Sequence, residues 1–209
     1  MGIILLDIGN VLVNVDFMPF CQTVCRDPVS GVAQLMARYC QGELKERHDC
    51  GRIASFDFLD MIADDPLTLD LPLHQLRLAW QDIFTPVPGS EEAVAHLRRH
   101  HELWIMSDTD PLHFAFLLDR FPLLRNMDRY LLSYEHGYLK RFPDAFRYAL
   151  DMSGRDPAEL LLIDDRTLNI DSCASMGIEG LLFRSWDDTL ASPRLAAFDA
   201  SLSSARRQR

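Results

Sequence analysis

Three short runs of unbroken apolar residues stand out along the chain, and each stops at a carboxylate or a hydroxyl. Residues 3–6 run into Asp7, residues 103–106 into Ser107 and Asp108, and residues 160–163 into Asp164 and Asp165. About four apolar residues without alternation mark a strand covered on both faces, as in a parallel sheet. Residues 130–132 and 180–183 are weaker strands of the same kind.

Helical spacing fills the gaps. Ser90-Glu91-Glu92 starts a helix through Leu97 with a cap residue and first-turn acids. Asp110-Pro111 starts another, with Asp as N-cap and Pro at the first helical position. Asp156 to Glu159 reads as a capping box. Residues 143–152 and 169–176 are helical by spacing, the second closed by Gly177. Strands alternating with helices imply an α/β fold with a doubly wound, Rossmann-like parallel sheet.

Residues 16–85 break this alternation. Helices are expected at 20–25, 32–39, 56–63 and 73–84, with no buried strand among them. The expected organisation is therefore an α/β core of residues 1–15 and 86–200 with an inserted helical cap of residues 16–85. Pro86, Pro88 and Gly89 mark the return to the core. A polar tail of residues 201–209 is expected to be flexible.

Composition narrows the function more than the fold. Charged residues make up 25% and the net charge is −10 at pH 7, so nonspecific binding to nucleic acid is not expected. A small anion remains acceptable if lysine, a helix N-terminus or a cation provides local positive charge. The five cysteines are odd in number and form no CxxC pair, so free thiols in a reducing cytosol are expected. Cys21 and Cys25 fall on one helix face. With no basic leader and no long apolar span, a cytoplasmic protein without membrane attachment is expected.

Ligands in open α/β sheets bind at the carboxyl ends of the strands. Here those ends supply Asp7, Ser107 and the pair Asp164-Asp165. Converging carboxylates repel one another and suit a hard divalent cation such as Mg2+. Ser107, next to a helix N-terminus, suits a phosphate oxygen. Lys140, after Gly137, offers matching positive charge.

Four motifs in order carry a family resemblance across residues 1–183. Asp7-Ile8-Gly9-Asn10-Val11-Leu12 resembles the first motif of the haloacid dehalogenase-like hydrolase superfamily. Ser107 at a strand end resembles the second, and Gly137-Tyr138-Leu139-Lys140 with Phe146 the third. Ile163-Asp164-Asp165 through Ile170 resembles the fourth. The wording around Asp7 and Ser107 is similar to a bacterial branch that includes an α-D-glucose-1-phosphate phosphatase.

The resemblance implies a Mg2+-dependent phosphatase acting on a small phosphorylated metabolite, as a monomer or homodimer. Asp7 would be the nucleophile, forming an aspartyl-phosphate. The metal would be held by Asp7, the Gly9 carbonyl and Asp165, with Asp164 close by. Ser107 and Asp108 would hold phosphate oxygens, and Lys140 would neutralise nucleophile and phosphate. Arg47, His48 and Asp49 lie in the cap, where such families often select substrates.

Two positions depart from the family pattern. Gly9 stands where most phosphatases of this kind carry an aspartate that shuttles the leaving-group proton. Asp16, Asp108 and His113 are the candidates to replace it. Arg141 stands where proline is usual, and a solvated loop charge is its simpler reading. Two other functions remain open: a haloacid dehalogenase acting at carbon without metal, and a non-catalytic binding protein on the same scaffold.

Overall fold

A computed structural model describes residues 1–207. The main sheet has five strands in the order β5-β4-β1-β6-β7, all parallel. They are β1 (Ile3–Leu6), β4 (Glu102–Ser107), β5 (Arg129–Leu132), β6 (Leu160–Asp164) and β7 (Glu179–Leu182). The two remaining strands, β2 (Val13–Val15) and β3 (Phe84–Pro86), form a separate antiparallel pair. The order reverses at β1, which puts a crevice beside its carboxyl end.

The period of two along each strand sorts the core into two layers. Ile4, Leu6, Leu103, Ile105, Leu161 and Ile163 face the helices Ser90–Leu97 and Pro111–Arg120. Ile3, Leu5, Trp104, Met106, Leu160 and Leu162 face the helices Pro143–Ser153 and Thr167–Ser175. Burial on both faces explains why these strands read as unbroken apolar runs rather than alternating ones. Each fully buried Leu or Ile contributes about 1.5–3 kcal/mol to this arrangement.

The chain between β2 and β3 is helical and has its own apolar cluster, centred on Trp80, Phe20 and Phe58. Trp80 packs its ring against Phe17, Phe20 and Phe58 at centroid distances of 5.3, 5.0 and 5.2 Å. The helical insertion leaves and rejoins the sheet layer through the short β2–β3 pair.

Several local expectations are corrected. The helix expected at 73–84 ends at Gln81, because Asp82 leaves the helical region at ψ 57. Phe84 then lies in β3, a strand that the sequence hides because it is three residues long and ends on a proline without an N–H. Residues 32–39 split into an α-turn, Val32–Leu35, and a π-helical turn, Met36–Cys40. Cys25 caps its helix rather than sharing a face with Cys21, whose sulfur instead faces that of Cys40 at 3.6 Å. Ser90 is the first helical residue, and Gly89 at φ 79 takes the cap position. The polar tail continues as helix through Arg207, and residues 208 and 209 lie outside the described chain.

Candidate active site

The carboxyl ends of β1, β4 and β6 lie side by side, so the sheet register alone gathers the residues that end them. Asp7 follows β1, and its N–H donates to the Ile163 carbonyl of β6 at 3.1 Å. Asp7 Oδ1 accepts from its neighbour's N–H, Ile8, at 2.7 Å and faces Lys140 Nζ at 2.7 Å. Lys140 Nζ also donates to Asp164 Oδ2 at 2.6 Å. One ammonium therefore bridges the ends of two adjacent strands.

Asp164 is fully engaged. Its Oδ1 accepts from the Arg166 N–H and Asn169 Nδ2, and its Oδ2 from Lys140 and Asn169. It is 0% exposed. Such a carboxylate holds Lys140 in place and has little capacity left for another ligand. Asp165 is less buried, and its Oδ2 accepts only from Asn10 Nδ2, at 3.1 Å, among the hydrogen bonds of the described residues.

Lys140 lies on no strand. Gly137, at φ 85, turns the chain toward the site, and the Lys140 N–H donates to Asp108 Oδ1 at 2.9 Å. The Asp108 side chain is thus a tie between two loops. A carboxylate does not attract a phosphate oxygen, so only the Asp108 backbone suits the anion-holding part expected of it. Ser107 ends β4 and is 4% exposed. The next loop is pinned by Ser133, whose hydroxyl accepts from the Thr109 N–H at 2.9 Å and donates to the Thr109 carbonyl.

The loop after β1 carries the chain from the sheet to β2. Asn10 adopts φ 54, a left-handed conformation that asparagine tolerates better than most residues. Its side chain accepts from the Val15 N–H while donating to Asp165. A Cβ on Gly9 would meet Val15 Cγ2 at 3.3 Å. The β2 strand crowds the place where a side chain at position 9 would start.

Electrostatics here favour a cation. Burial pushes the Asp7 carboxyl up to about 8; Lys140 pulls against this, and Asp164 and Asp165 add to it. Burial alone would lower the Lys140 ammonium, but Asp164, Asp7 and Asp108 outweigh that and hold it above the ordinary lysine range. Oxygens of Asp7, Asp164 and Asp165 lie within 4.8 Å of one another. Asp164 is already spent on Lys140, Asn169 and the Arg166 N–H, so Asp7 and Asp165 are the carboxylates of this set that suit a hard divalent ion such as magnesium. The ligand atoms of a second group, His48, Asp49 and Asp110, also lie within 4.8 Å of one another. There the Lys45 ammonium already provides the positive charge, paired with Asp49 and 3.9 Å from Asp110.

Opposite the strand ends stands the helix Gly42–Asp49 of the insertion. Between them lies a cavity of about 330 Å³, lined by Lys45, Glu46 and Asp49 on one side and by Asp108, Arg141 and Arg166 on the other. Arg141 is not a solvated loop charge. Its guanidinium meets both Glu46 carboxylate oxygens in a two-point ion pair that ties the Lys140 loop to the insertion. The Arg141 hydrogen bond holds the Glu46 carboxyl below its ordinary range. His48 is wholly buried, stacked on Phe58 at 4.2 Å, and burial pushes it down to about 4. Arg47, by contrast, is exposed and does not line this cavity.

Of the groups expected to replace the acid absent at Gly9, two are unsuited. Asp16 is exposed and accepts from the Met18 N–H. His113 is buried with Nδ1 2.6 Å from Asp110 and Nε2 2.7 Å from the Trp80 carbonyl, so both ring nitrogens are engaged. Lys45 and Glu46 carry no earlier signal, because their helix has only one clearly apolar side chain, Leu44, and no apolar stripe.

Among known proteins, the sequence model of the haloacid dehalogenase-like hydrolases matches residues 1–177. The chain is 24% identical over 183 residues to a D-ribitol-5-phosphate phosphatase of Bacteroides thetaiotaomicron, covering 84% of this chain and 88% of that protein. A similar solved structure is that of a HAD family enzyme from Bacteroides thetaiotaomicron in complex with magnesium and inorganic phosphate. It superposes with a TM-score of 0.75 at 21% identity, covering 88% of this chain and 95% of the other. An L-2-haloacid dehalogenase from Xanthobacter autotrophicus with chloropropionic acid covalently bound superposes at 0.63 and 18% identity, over 86% of this chain and 76% of that one. At these identities the superpositions speak for the fold, and the match over residues 1–177 speaks for the family: the chain belongs to the haloacid dehalogenase-like hydrolases.

Proposed function

We propose that this hydrolase is a magnesium-dependent phosphatase that removes phosphate from a small monoester through an aspartyl-phosphate on Asp7. The observation that carries the reading is the Lys140 ammonium set between Asp7 and Asp164, at 2.7 and 2.6 Å, at the carboxyl ends of β1 and β6. Asp7 Oδ1 is held by the Ile8 N–H and Lys140, which leaves Oδ2 to attack phosphorus. Lys140 then sits where charge develops on the transferring group. Ser107 offers its hydroxyl to a phosphate oxygen, with the backbone of Asp108 beside it. Asp164 acts through Lys140, fixing the ammonium against Asp7.

Asp7, the Gly9 carbonyl and Asp165 are the groups that would hold magnesium. When bound, the ion supplies positive charge that neutralises the phosphate and the gathered carboxylates. Glycine at position 9 keeps the carbonyl while removing the side chain.

The insertion serves as a cap over this site. Its polar wall and the cavity volume of about 330 Å³ suit a small polyhydroxylated ester, such as a sugar or polyol phosphate. The relative named for D-ribitol-5-phosphate supports that class without fixing the member. The dehalogenase reading is disfavoured by the third carboxylate: attack at carbon without metal has no use for Asp165 beside Asp7 and Asp164.

A phosphate-release screen over sugar, polyol and acyl phosphates tests the proposal, run with magnesium and after chelation. Turnover that requires magnesium and is absent in Asp7→Asn is the expected result. Turnover surviving in Asp7→Asn, or halide release from 2-haloacids without phosphate release, removes it.

A further inference from the structure

Phosphate esters of alcohols leave badly unless the departing oxygen receives a proton. Gly9 cannot give one, and a Cβ there would press on Val15 Cγ2 at 3.3 Å. We propose that Asp49, on the insertion, is the acid that protonates the leaving oxygen. This assignment rests on the phosphatase reading above and adds a catalytic residue to it.

Geometry selects Asp49 from the other carboxyls of the cavity. It lines a cavity whose other wall is Asp108, next to Ser107, and Arg166, next to Asp165, so it faces the strand-end loops that flank Asp7. Glu46, one turn earlier, is committed to both nitrogens of Arg141. Among the described residues Asp108 also keeps Oδ2 free, its Oδ1 accepting from the Lys140 N–H, but it follows Ser107 on the phosphate-holding wall, whereas Asp49 stands on the wall opposite. Asp49 is bonded only by the Lys45 ammonium, on Oδ1, among the hydrogen bonds of the described residues, so Oδ2 is left to carry a proton.

Two contacts fix this carboxyl relative to the strand ends. Lys45 Nζ stands 3.9 Å from Asp110, three residues beyond the end of β4, so the ammonium that pairs with Asp49 also faces the core. Two residues after Asp49, Gly51 adopts φ 68, and a Cβ there would fall on the Tyr134 carbonyl oxygen. Only glycine allows the insertion to press so closely on the helix Ser133–His136. Asp49 is thus carried on a turn docked to the core at two points.

Its surroundings suit a proton carrier near neutrality. Burial pushes the Asp49 carboxyl up to about 6, against the pull of Lys45 and with support from Asp110 and Asp108. Also beside it are His48, which burial keeps neutral down to about pH 4, and Cys50, whose thiol burial pushes up. A carboxyl in this range alternates between acid and base during a catalytic cycle.

The two half-reactions balance. As the Asp7 Oδ2–P bond forms and the ester P–O bond breaks, the Asp49 proton passes to the departing alkoxide, giving the alcohol, the aspartyl-phosphate and the Asp49 carboxylate. Water then attacks phosphorus, its proton passes to Asp49, and the Asp7–P bond breaks. Phosphate, Asp7 carboxylate and Asp49 acid result.

The test compares Asp49→Asn with the wild type on two esters, a polyol phosphate and p-nitrophenyl phosphate, whose aryl oxide leaves without a proton. We expect the loss in kcat/KM on the polyol ester to exceed that on the aryl ester by about 10²-fold, the lower end for general acid catalysis. Asp49→Glu should recover part of the difference, and circular dichroism should show both variants folded. Equal losses on the two esters, or a rise in KM without dependence on the leaving group, overturn the assignment and make Asp49 a binding group. A wild type inactive on both esters overturns the phosphatase reading and this inference with it.

Discussion

The strand ends that carry Asp7 and the helix that stands opposite them are built on different principles. At this floor of strand ends Asp7, Lys140 and Asp164 share charge and hydrogen bonds, and Asn169 and the Arg166 N–H complete the shell of Asp164. The opposite wall is a polar helix, Gly42–Asp49, whose buried residues are His48 and Asp49. The floor is positioned by sheet register, and the wall by a few ion pairs and one glycine contact. On the proposed mechanism, attack on phosphorus and handling of the leaving group fall to parts of the chain that are positioned by different kinds of contact.

The largest effect should come from the floor. Lys140→Met removes charge from the transferring group and leaves Asp164 buried without its cation. Turnover should fall about 10²–10³-fold, by analogy with loss of a single stabilising donor. The fold should lose about 3–5 kcal/mol, read by denaturant titration, as expected when one partner of a buried pair is deleted. A variant with full stability would show that the floor is not held by this ammonium.

The wall is expected to answer to pH before it answers to denaturant. Asp49 donates only when protonated, so above its value of about 6 the donating fraction falls roughly tenfold per pH unit. The ratio of wild-type to Asp49→Asn kcat/KM on a polyol phosphate should therefore decline as pH rises from about 6 to 8. Titration of the substrate itself cancels in that ratio. A ratio independent of pH would separate Asp49 from proton transfer.

The cores of the two regions should respond alike, which sharpens the contrast between their polar walls. Trp80→Ala in the insertion should cost about 3–5 kcal/mol, the usual range for a large aromatic removed from a packed core. Phe146→Ala beneath the sheet should cost a similar amount. A much smaller loss at Trp80 would mean that the insertion contributes little to global stability.

The smallest effect is expected at Arg141 and Glu46, whose ion pair is about one-third exposed. Such pairs contribute little to stability, about 0–1 kcal/mol. Glu46→Gln should leave the denaturation midpoint nearly unchanged and raise KM severalfold, because the pair closes one side of the cavity. An unchanged KM would reduce this pair to a surface contact.

The division between floor and wall also explains what the sequence reveals. Apolar runs that stop at Asp7, Ser107 and Asp164 can be read directly, because burial on both faces requires the runs and the crevice requires their ends. Motif order points to Lys140 beside Asp7, whereas the hold of Asp164 on the same ammonium emerges only from the folded structure. The helix Gly42–Asp49 is invisible to periodicity, because its inward side is polar and Leu44 is its only clearly apolar side chain. Trp80 and Phe84 share helical spacing, yet Asp82 ends the helix between them and Phe84 pairs with Val15 in β3–β2. The Arg141–Glu46 pair joins residues 95 apart, a distance along the chain over which no local pattern can act.

The central claim is that Asp7 is phosphorylated during turnover. Rapid acid quench of the enzyme with magnesium and a polyol phosphate, followed by borohydride reduction, converts an aspartyl-phosphate to homoserine. Mass spectrometry of the peptide containing Asp7 should find homoserine at position 7, dependent on substrate and absent from Asp7→Asn. Active enzyme that yields no homoserine there, under quench conditions that trap a control aspartyl-phosphate, or that yields it at another carboxylate, would contradict the account.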